Sequence, residues 1–392
     1  MAYVKKLKTQ EFRFRRGKPP LLGRVDIELT ERCNNACLHC LINRPEQDAA
    51  SRSLEMETAF IQNLLRQAAD LGCLMVRFTG GEPLLRDDFA DLYLYARRLG
   101  MWVTIFTNAR LITDELADLL SRVPPGRWVE VSVYGMRAES YDASAGAKGS
   151  FVEFRRGVDR LRARGIPFVV KGAILPPNKG EWEEFKEWAA GISSIGQLSG
   201  ESMNFDLRAR RDDPAKNERI RKLRLSPKET ARILARDPRY FSRMRRFCGK
   251  FMGPPGDPLF PCGAGHGTCI DAYGRAQMCM PLRHPDTVYD LRTQLPSPLK
   301  YALTEFFPRL REIRATNPEY LRRCARCFLK GFCEQCPGKS WMEHGTLDTP
   351  VEYLCAVAHA QARTLGLLKD SENSWDVENG KERIARFTET PE

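Results

Sequence analysis

TERCNNACLHC, residues 30–40, brings Cys33, Cys37 and Cys40 together in one short stretch, and the next cysteine along the chain is Cys73. The spacing is C-x3-C-x2-C. A structural metal site normally closes its shell with four ligands. Iron–sulfur clusters likewise take four cysteines as a rule. Three thiols from one loop can hold three irons of a cubane and leave the fourth without a protein ligand. A coordination place left open in this way serves a catalytic metal, which must admit something else. The competing reading is a zinc site completed by His39 or by a later cysteine.

Working outward, the stretch follows RVDIELT (24–30), an apolar, β-branched run. Five similar runs succeed it: LMVRFTG (74–80), WVTIFTN (102–108), WVEVSVYG (128–135), PFVVKGAIL (167–175) and MNFDLRA (203–209). Segments with helical periodicity lie between them, among them METAFIQNLLRQAADLG and DDFADLYLYARRLG. Repeated strand–helix units predict an α/β fold with a parallel sheet. Six of them suit a partial (β/α)6, TIM-like barrel over residues 24–236, although a doubly wound sheet has the same unit count. Ser226-Pro227-Lys228-Glu229 reads as a helix start, with an N-cap serine, a first-turn proline and a glutamate at the third position.

Parallel α/β folds gather ligands at the carboxyl ends of their strands. The three-cysteine loop stands at that end of the first strand, and Gly80-Gly81-Glu82-Pro83 at that end of the second. Two glycines let another group approach the backbone closely. Glu82 and nearby carbonyls can accept hydrogen bonds from an ammonium group. Read alone, the same four residues are also an ordinary strand–helix turn.

Past about residue 247 the alternation stops and cysteine, glycine and proline become frequent. The cysteines run Cys262, Cys269, Cys279, then Cys324-x2-Cys327-x5-Cys333-x2-Cys336, then Cys355. Residues 1–23 read as an N-terminal extension, 237–365 as a linker and metal-stapled domain, and 366–392 as a polar tail that is flexible or carries one marginal helix. Cys73, in LGCLMVRF, reads as core packing, and Cys248 has no assigned role. CGAGHG has no strand before it and is not a dinucleotide fingerprint; His266 within it reads as a loop residue.

Taken together, these residues resemble the radical S-adenosylmethionine (SAM) superfamily, whose signature is C-x3-C-x-Φ-C, with His39 here at the Φ position that is usually aromatic. The resemblance implies that Cys33, Cys37 and Cys40 bind a [4Fe–4S] cluster whose open iron is chelated by SAM. It implies that Gly80, Gly81, Glu82 and Pro83 contact the methionyl ammonium, and that Ser132 contacts the ribose or carboxylate. Thr107, Asn108 and Lys171 occupy comparable strand-end places. In the family, one electron cleaves SAM to methionine and a 5′-deoxyadenosyl radical, which abstracts hydrogen from substrate.

The later cysteines resemble a SPASM domain, the extension of radical SAM enzymes that modify peptides and proteins. Its pattern is C-x9–15-G-x4-C, then C-x2-C-x5-C-x3-C, then a lone cysteine. This chain departs from it by one residue, with x2 before Cys336. The resemblance implies two auxiliary [4Fe–4S] clusters: Cys262, Cys269, Cys279 and Cys336 for one, Cys324, Cys327, Cys333 and Cys355 for the other. A pair of zinc ribbons is the alternative.

Thirteen cysteines cannot all pair as disulfides, and clustered reduced thiols point to metal in a cytoplasmic protein. There is no apolar run of membrane-span length and no signal peptide. The formal charge is +12. Two four-cysteine clusters at −2 and one three-cysteine cluster at −1 bring it to about +7. Much of the excess lies in residues 205–250, which read as a solvated basic face without the aromatic interleaving of single-strand binders. The expected partners are a peptide or protein substrate and an electron donor such as flavodoxin or ferredoxin, with neither nucleic acid nor membrane. About 20 residues precede the first strand, too few for a folded leader-recognition domain, so a separate leader-peptide-binding protein, or the basic region, is expected to deliver the peptide.

The expected function is therefore a radical SAM enzyme that installs a carbon–carbon or thioether cross-link, or another oxidation, in a ribosomally made peptide. A sulfatase-maturating type is disfavoured, because Met280 stands where those enzymes place an aspartate after the cysteine of the G-x4-C element. A small-molecule SPASM enzyme, for instance one oxidising tetrapyrrole side chains, and a non-catalytic zinc-stapled binding protein are the other readings. The general base and the substrate are not legible.

Overall fold

Val25, Ile27 and Leu29 are fully buried, and Asp26, Glu28 and Thr30 alternate with them, so the first strand presents an apolar face and a polar one. The same division repeats across the computed structural model, which describes residues 22–42, 44–192, 201–202, 205–209, 211–237, 239–251, 256–261, 267–333 and 335–389. The central strands are β1 (Arg24–Thr30), β2 (Met75–Gly80), β3 (Trp102–Thr107), β4 (Gly126–Val133), β5 (Phe168–Ala173) and β6 (Glu201–Ser202). They lie side by side in chain order and all run parallel. The connections carry α1 (Thr58–Asp70), α2 (Phe89–Arg98), α3 (Asp114–Arg122), α4 (Ala138–Ala145), α5 (Ser150–Ala163) and α6 (Trp182–Ile192). Val76, Phe78, Val103, Ile105, Val129, Val131, Phe168 and Val170 continue the apolar face of β1. Helices cover it: Gly172, in the same alternation, packs directly on Trp182 and Phe185 of α6. This is the α/β partial barrel expected from the strand–helix repeats.

The sixth strand differs from expectation. Residues 201–202 pair with β5, whereas 205–209 make no ladder and 203–204 lie outside the described residues. Phe205 and Leu207 are buried against Ala173, Leu175 and Ile220, the last on α7 (Pro214–Leu223). The alternation in FDLRA thus reports one-sided burial, not strand pairing. Positive φ at Arg208 and Asp212 breaks the extended path.

A second difference lies at the other edge. β7 (Gly267–Ile270) pairs parallel with β1, and β8 (Arg275–Gln277) and β9 (Val288–Asp290) extend the sheet antiparallel, giving nine strands among the described residues. Contacts accordingly divide the chain otherwise than at residue 236. One unit holds residues 1–223, 265–280 and 288–306; the other holds 224–264, 281–287 and 307–392.

The second unit contains α8 (Pro227–Ala235), α9 (Tyr240–Phe251), α10 (Pro337–His344), α11 (Glu352–Thr364) and α12 (Gly380–Glu389). α8 starts as its sequence predicts, Ser226 Oγ accepting from Glu229 N at 3.2 Å. Its core joins Cys248, Leu329, Phe332, Ala358, Ala362 and Ile384. Cys248 is thus a core residue, as is Cys73 in the first unit. The polar tail forms the helix α12, because Ile384 and Phe387, three apart, give it one apolar edge for that core. Arg383 also grips Glu372 with both terminal nitrogens, at 2.6 and 2.9 Å.

Candidate active site

The loop after β1 is held by a cradle of backbone contacts. Gly81 N donates to Thr30 O at 2.7 Å and Glu82 N to Arg32 O at 2.9 Å. A Cβ on Gly81 would lie 2.6 Å from Glu31 O and closer still to Arg32 O. The close approach that this glycine permits is to the cysteine loop itself. Gly146, which caps α4 at φ 62°, does the same from another side, its Cβ position 2.9 Å from Ala36 C. Ala36 N and Leu38 N donate to Ala145 O and Ser144 O. Side chains complete the hold. Arg32 donates to Glu55 at 2.8 Å, and Arg110 reaches Asn34 O, Asn35 Oδ1 at 2.6 Å and Glu153 at 2.6 Å. None of these long-range partners has a local sequence signal.

Glu82 is wholly buried, and its carboxylate is engaged by three donors. Thr107 Oγ1 and Leu84 N donate to Oε1 at 2.8 and 3.2 Å, and Asn108 N donates to Oε2 at 2.8 Å. Burial pushes its pKa up to about 7, and the three donors oppose that shift. Glu82 is therefore a brace between β2 and β3. Asn108 continues the brace to the cysteine loop, its Nδ2 donating to Asn34 Oδ1 at 2.7 Å and lying 3.8 Å from Cys33 Sγ. Gly80 to Pro83, Thr107 and Asn108 thus meet the cysteine loop at one end of the sheet. Ser132 and Lys171 face each other across β4 and β5. The Lys171 amine is bound to Glu130 at 2.6 Å.

The three thiols sit within electrostatic reach of one another. Burial, then the neighbouring Cys37 and Glu82, raises the Cys33 pKa, and burial with Cys40 pushes Cys37 up to about 12. Three thiolates here need a positive charge among them, which a metal–sulfur core supplies. The donor set thus fits a cluster held by three cysteines. His39 packs against Phe205 and Tyr134, with ring centroids 4.9 and 5.8 Å away, and its buried Nδ1 has no hydrogen-bond partner among the described residues.

The polar face of the sheet leads away from this end. Arg77 pairs with Asp26, donates to Met280 Sδ at 3.0 Å and lies over the Phe106 ring at 4.5 Å. Lys171 approaches the same ring at 5.4 Å. Of these residues the sequence points to Lys171 as a strand-end residue and to Met280 only as the neighbour of Cys279. Their alternation along β1 to β5 is the signal that could have found the others.

In the first unit, Cys269 lies on β7 opposite Gln277, and Gly274, at φ 85°, turns the chain back towards Cys279. The glycine of the G-x4-C element is therefore the hairpin turn residue. Cys262 and His266 lie outside the described residues. In the second unit, Cys336 precedes α10 as its N-cap. Cys324, Cys327, Cys333 and Cys355 perturb one another there, after burial as the main cause, so four thiols from three segments gather. Arg323 donates to Cys355 Sγ at 3.5 Å, and Ser374 Oγ lies 3.0 Å from Cys327 Sγ. Among the described residues no three Cys, His, Asp or Glu side chains close on a single ion. Thiolates on separate corners of a cube need not converge so tightly. No helix among the described residues is long and apolar enough to cross a membrane.

The fold is that of an α/β partial barrel with a thiol-bearing loop at its first strand end. Residues 27–189 match the profile of the radical SAM superfamily. The match takes in about two fifths of the chain, and over that stretch the chain is similar to this superfamily. It is 37% identical over 156 residues to PqqA peptide cyclase of Xanthomonas euvesicatoria pv. vesicatoria (strain 85-10), a match covering 40% of this chain and 41% of that protein. It is 35% identical over 174 residues to Fe-coproporphyrin III synthase of Methanosarcina barkeri (strain Fusaro / DSM 804), covering 44% and 42%. The chain thus spans about two fifths of the length of the curated relatives it matches. Its fold resembles Streptococcus suis SuiB bound to the precursor peptide SuiA, with TM-score 0.63, 15% identity and coverage of 86% of this chain and 76% of that one. It also resembles native anSMEcpe with bound AdoMet and Cp18Cys peptide, with TM-score 0.58, 14% identity and coverage of 87% and 96%.

Proposed function

We propose that this protein is a radical SAM enzyme that modifies a ribosomally made peptide, by cross-linking or another oxidation. The observation that carries the reading is the gathering of Cys33, Cys37 and Cys40 against the Gly80–Pro83 turn at one end of a parallel sheet. The PqqA peptide cyclase relative supports a peptide substrate. Likeness of fold to peptide-bound SuiB and anSMEcpe is in keeping with it.

Cys33, Cys37 and Cys40 hold the cluster, and backbone carbonyls of the Gly80–Pro83 turn bind the SAM ammonium. Glu82, Thr107 and Asn108 keep that turn and the loop in register. Ser132 meets the ribose or carboxylate in this reading. When bound, the cluster and SAM supply one-electron reductive cleavage of the sulfonium and hydrogen abstraction from an unactivated carbon. The polar face carrying Arg77, Phe106, Glu130 and Lys171 orients the substrate and keeps reacting atoms together. Two auxiliary clusters complete the reading, one on Cys262, Cys269, Cys279 and Cys336, the other on Cys324, Cys327, Cys333 and Cys355. The enzyme works in a reducing, cytoplasmic compartment, with flavodoxin or ferredoxin as electron donor.

The Fe-coproporphyrin III synthase relative favours a second reading, a small-molecule tetrapyrrole substrate. Anaerobic incubation with SAM, reductant and either peptides encoded beside the gene or coproporphyrins, followed by mass spectrometry, separates the two. A peptide mass shift with stoichiometric 5′-deoxyadenosine supports the first. Turnover of the porphyrin alone overturns it.

A further inference from the structure

The second unit carries a feature that the cluster chemistry does not use. A groove of about 450 Å³ runs between α8 and α11. Ala231, Ala235 and Ala360 form part of its wall, where larger side chains would fill it. Lys228, Arg232 and Arg236 border it at intervals of four along α8, all exposed. The fourth cation, Arg363, is engaged by Asp370, with Nε–Oδ1 at 3.6 Å, and by the carbonyls of Lys369 and Asp370. Among the described residues Lys228, Arg232 and Arg236 have no carboxylate partner, although charged side chains elsewhere on this unit are widely paired. Asp370 is the acidic residue that borders the groove.

We propose that this groove docks an acidic peptide segment in extended conformation. A helix repeats a four-residue interval every 6 Å or so along its axis. Alternate side chains of an extended chain repeat every ~6.6 Å on one side. Carboxylates at every second position of such a segment therefore meet Lys228, Arg232 and Arg236 in turn, while its backbone lies over the small alanine side chains. Charge complementarity selects the acidic partner. Assigning the segment to the substrate peptide rests on the peptide reading above; the docking itself does not.

The test is fluorescence anisotropy with the full-length, cluster-loaded protein and a fluorescein-labelled 12-residue probe of alternating glutamate and serine. Saturable, salt-sensitive binding is expected. Charge reversal at all three positions (K228E, R232E and R236E together) is expected to weaken it about tenfold or more, the combined effect of three exposed ion pairs. R232K with R236K should retain it, and a probe with glutamine for glutamate should not bind. The triple variant is scored if its melting temperature and cluster absorbance match wild type; otherwise R232Q with R236Q is scored in its place. Undiminished binding by the scored variant overturns the proposal. So does a failure of the acidic probe to bind, whether or not a single-stranded RNA or a phosphatidylserine vesicle binds through these residues. The readout needs no turnover, so an inactive enzyme that still binds the probe contradicts the substrate reading and leaves the groove intact.

Discussion

Gly81→Ala strikes the cradle under the cysteine loop. The new Cβ would stand 2.6 Å from Glu31 O, against a limit of 3.0 Å that real Cβ atoms respect, so that contact alone is short by 0.4 Å. The contact with Arg32 O is tighter still. Both obstacles are backbone oxygens, which cannot rotate aside, and Arg32 O already accepts from Glu82 N. Overpacking of this kind costs about 3 kcal/mol. Relief comes either from strain shared through the barrel or from displacement of residues 31–33, which moves Cys33. The first lowers the melting temperature by roughly 6–12 °C for a unit of this size. The second costs about four irons per chain, one cluster's worth. Gly180→Ala is the control, since nothing lies within 4 Å of its added Cβ. Anaerobic reconstitution, iron analysis and a thermal melt decide. Full iron with an unshifted melt in the Gly81→Ala variant would refute the cradle.

Further outcomes follow from the same geometry. Cys324→Ser should cost about four irons per chain while SAM cleavage by the first cluster persists, as read by iron analysis and 5′-deoxyadenosine assay. Lys171→Met, which strips Glu130 of its partner on the polar face, should lower substrate modification about tenfold with substrate-free SAM cleavage unchanged; a parallel loss of SAM affinity would return Lys171 to the cofactor site. The Arg383–Glu372 pair holds the Glu372 carboxyl down at about 2, from 4.5. A depressed acid contributes stability above its unfolded pKa and loses it as pH falls towards the folded one. Amide protection factors in α12 should therefore fall between about pH 4.5 and 2, and Arg383→Ala should weaken that fall.

What the sequence disclosed depended on how local its signals were. Cys33, Cys37 and Cys40 lie within one loop, and the strand–helix alternation repeats within tens of residues, so the three-thiol loop and the parallel sheet were both legible. Arg110 was not, because its partners Asn34 and Asn35 are some seventy-five residues away. β7 was missed for the same reason: four residues pair with a strand about 240 positions earlier, and a run that short carries little periodicity. The bracing role of Glu82 was not legible, because a glutamate after two glycines at a strand end shows no partner in the sequence. Thr107 and Asn108, which occupy it, approach only when β2 and β3 pair. For the tail, polar composition left flexibility and one marginal helix both open, and Ile384 and Phe387 decided for the helix by packing on the core.

The most direct measurement is 5′-deoxyadenosine formation by anaerobically reconstituted, strongly reduced protein. It is compared with a variant carrying alanine at Cys33, Cys37 and Cys40 together. Wild type should release 5′-deoxyadenosine and methionine in equal amounts, and the variant, with its later cysteines intact, none. Iron-replete wild type that leaves SAM uncleaved, or a variant that cleaves it equally well, would contradict the account.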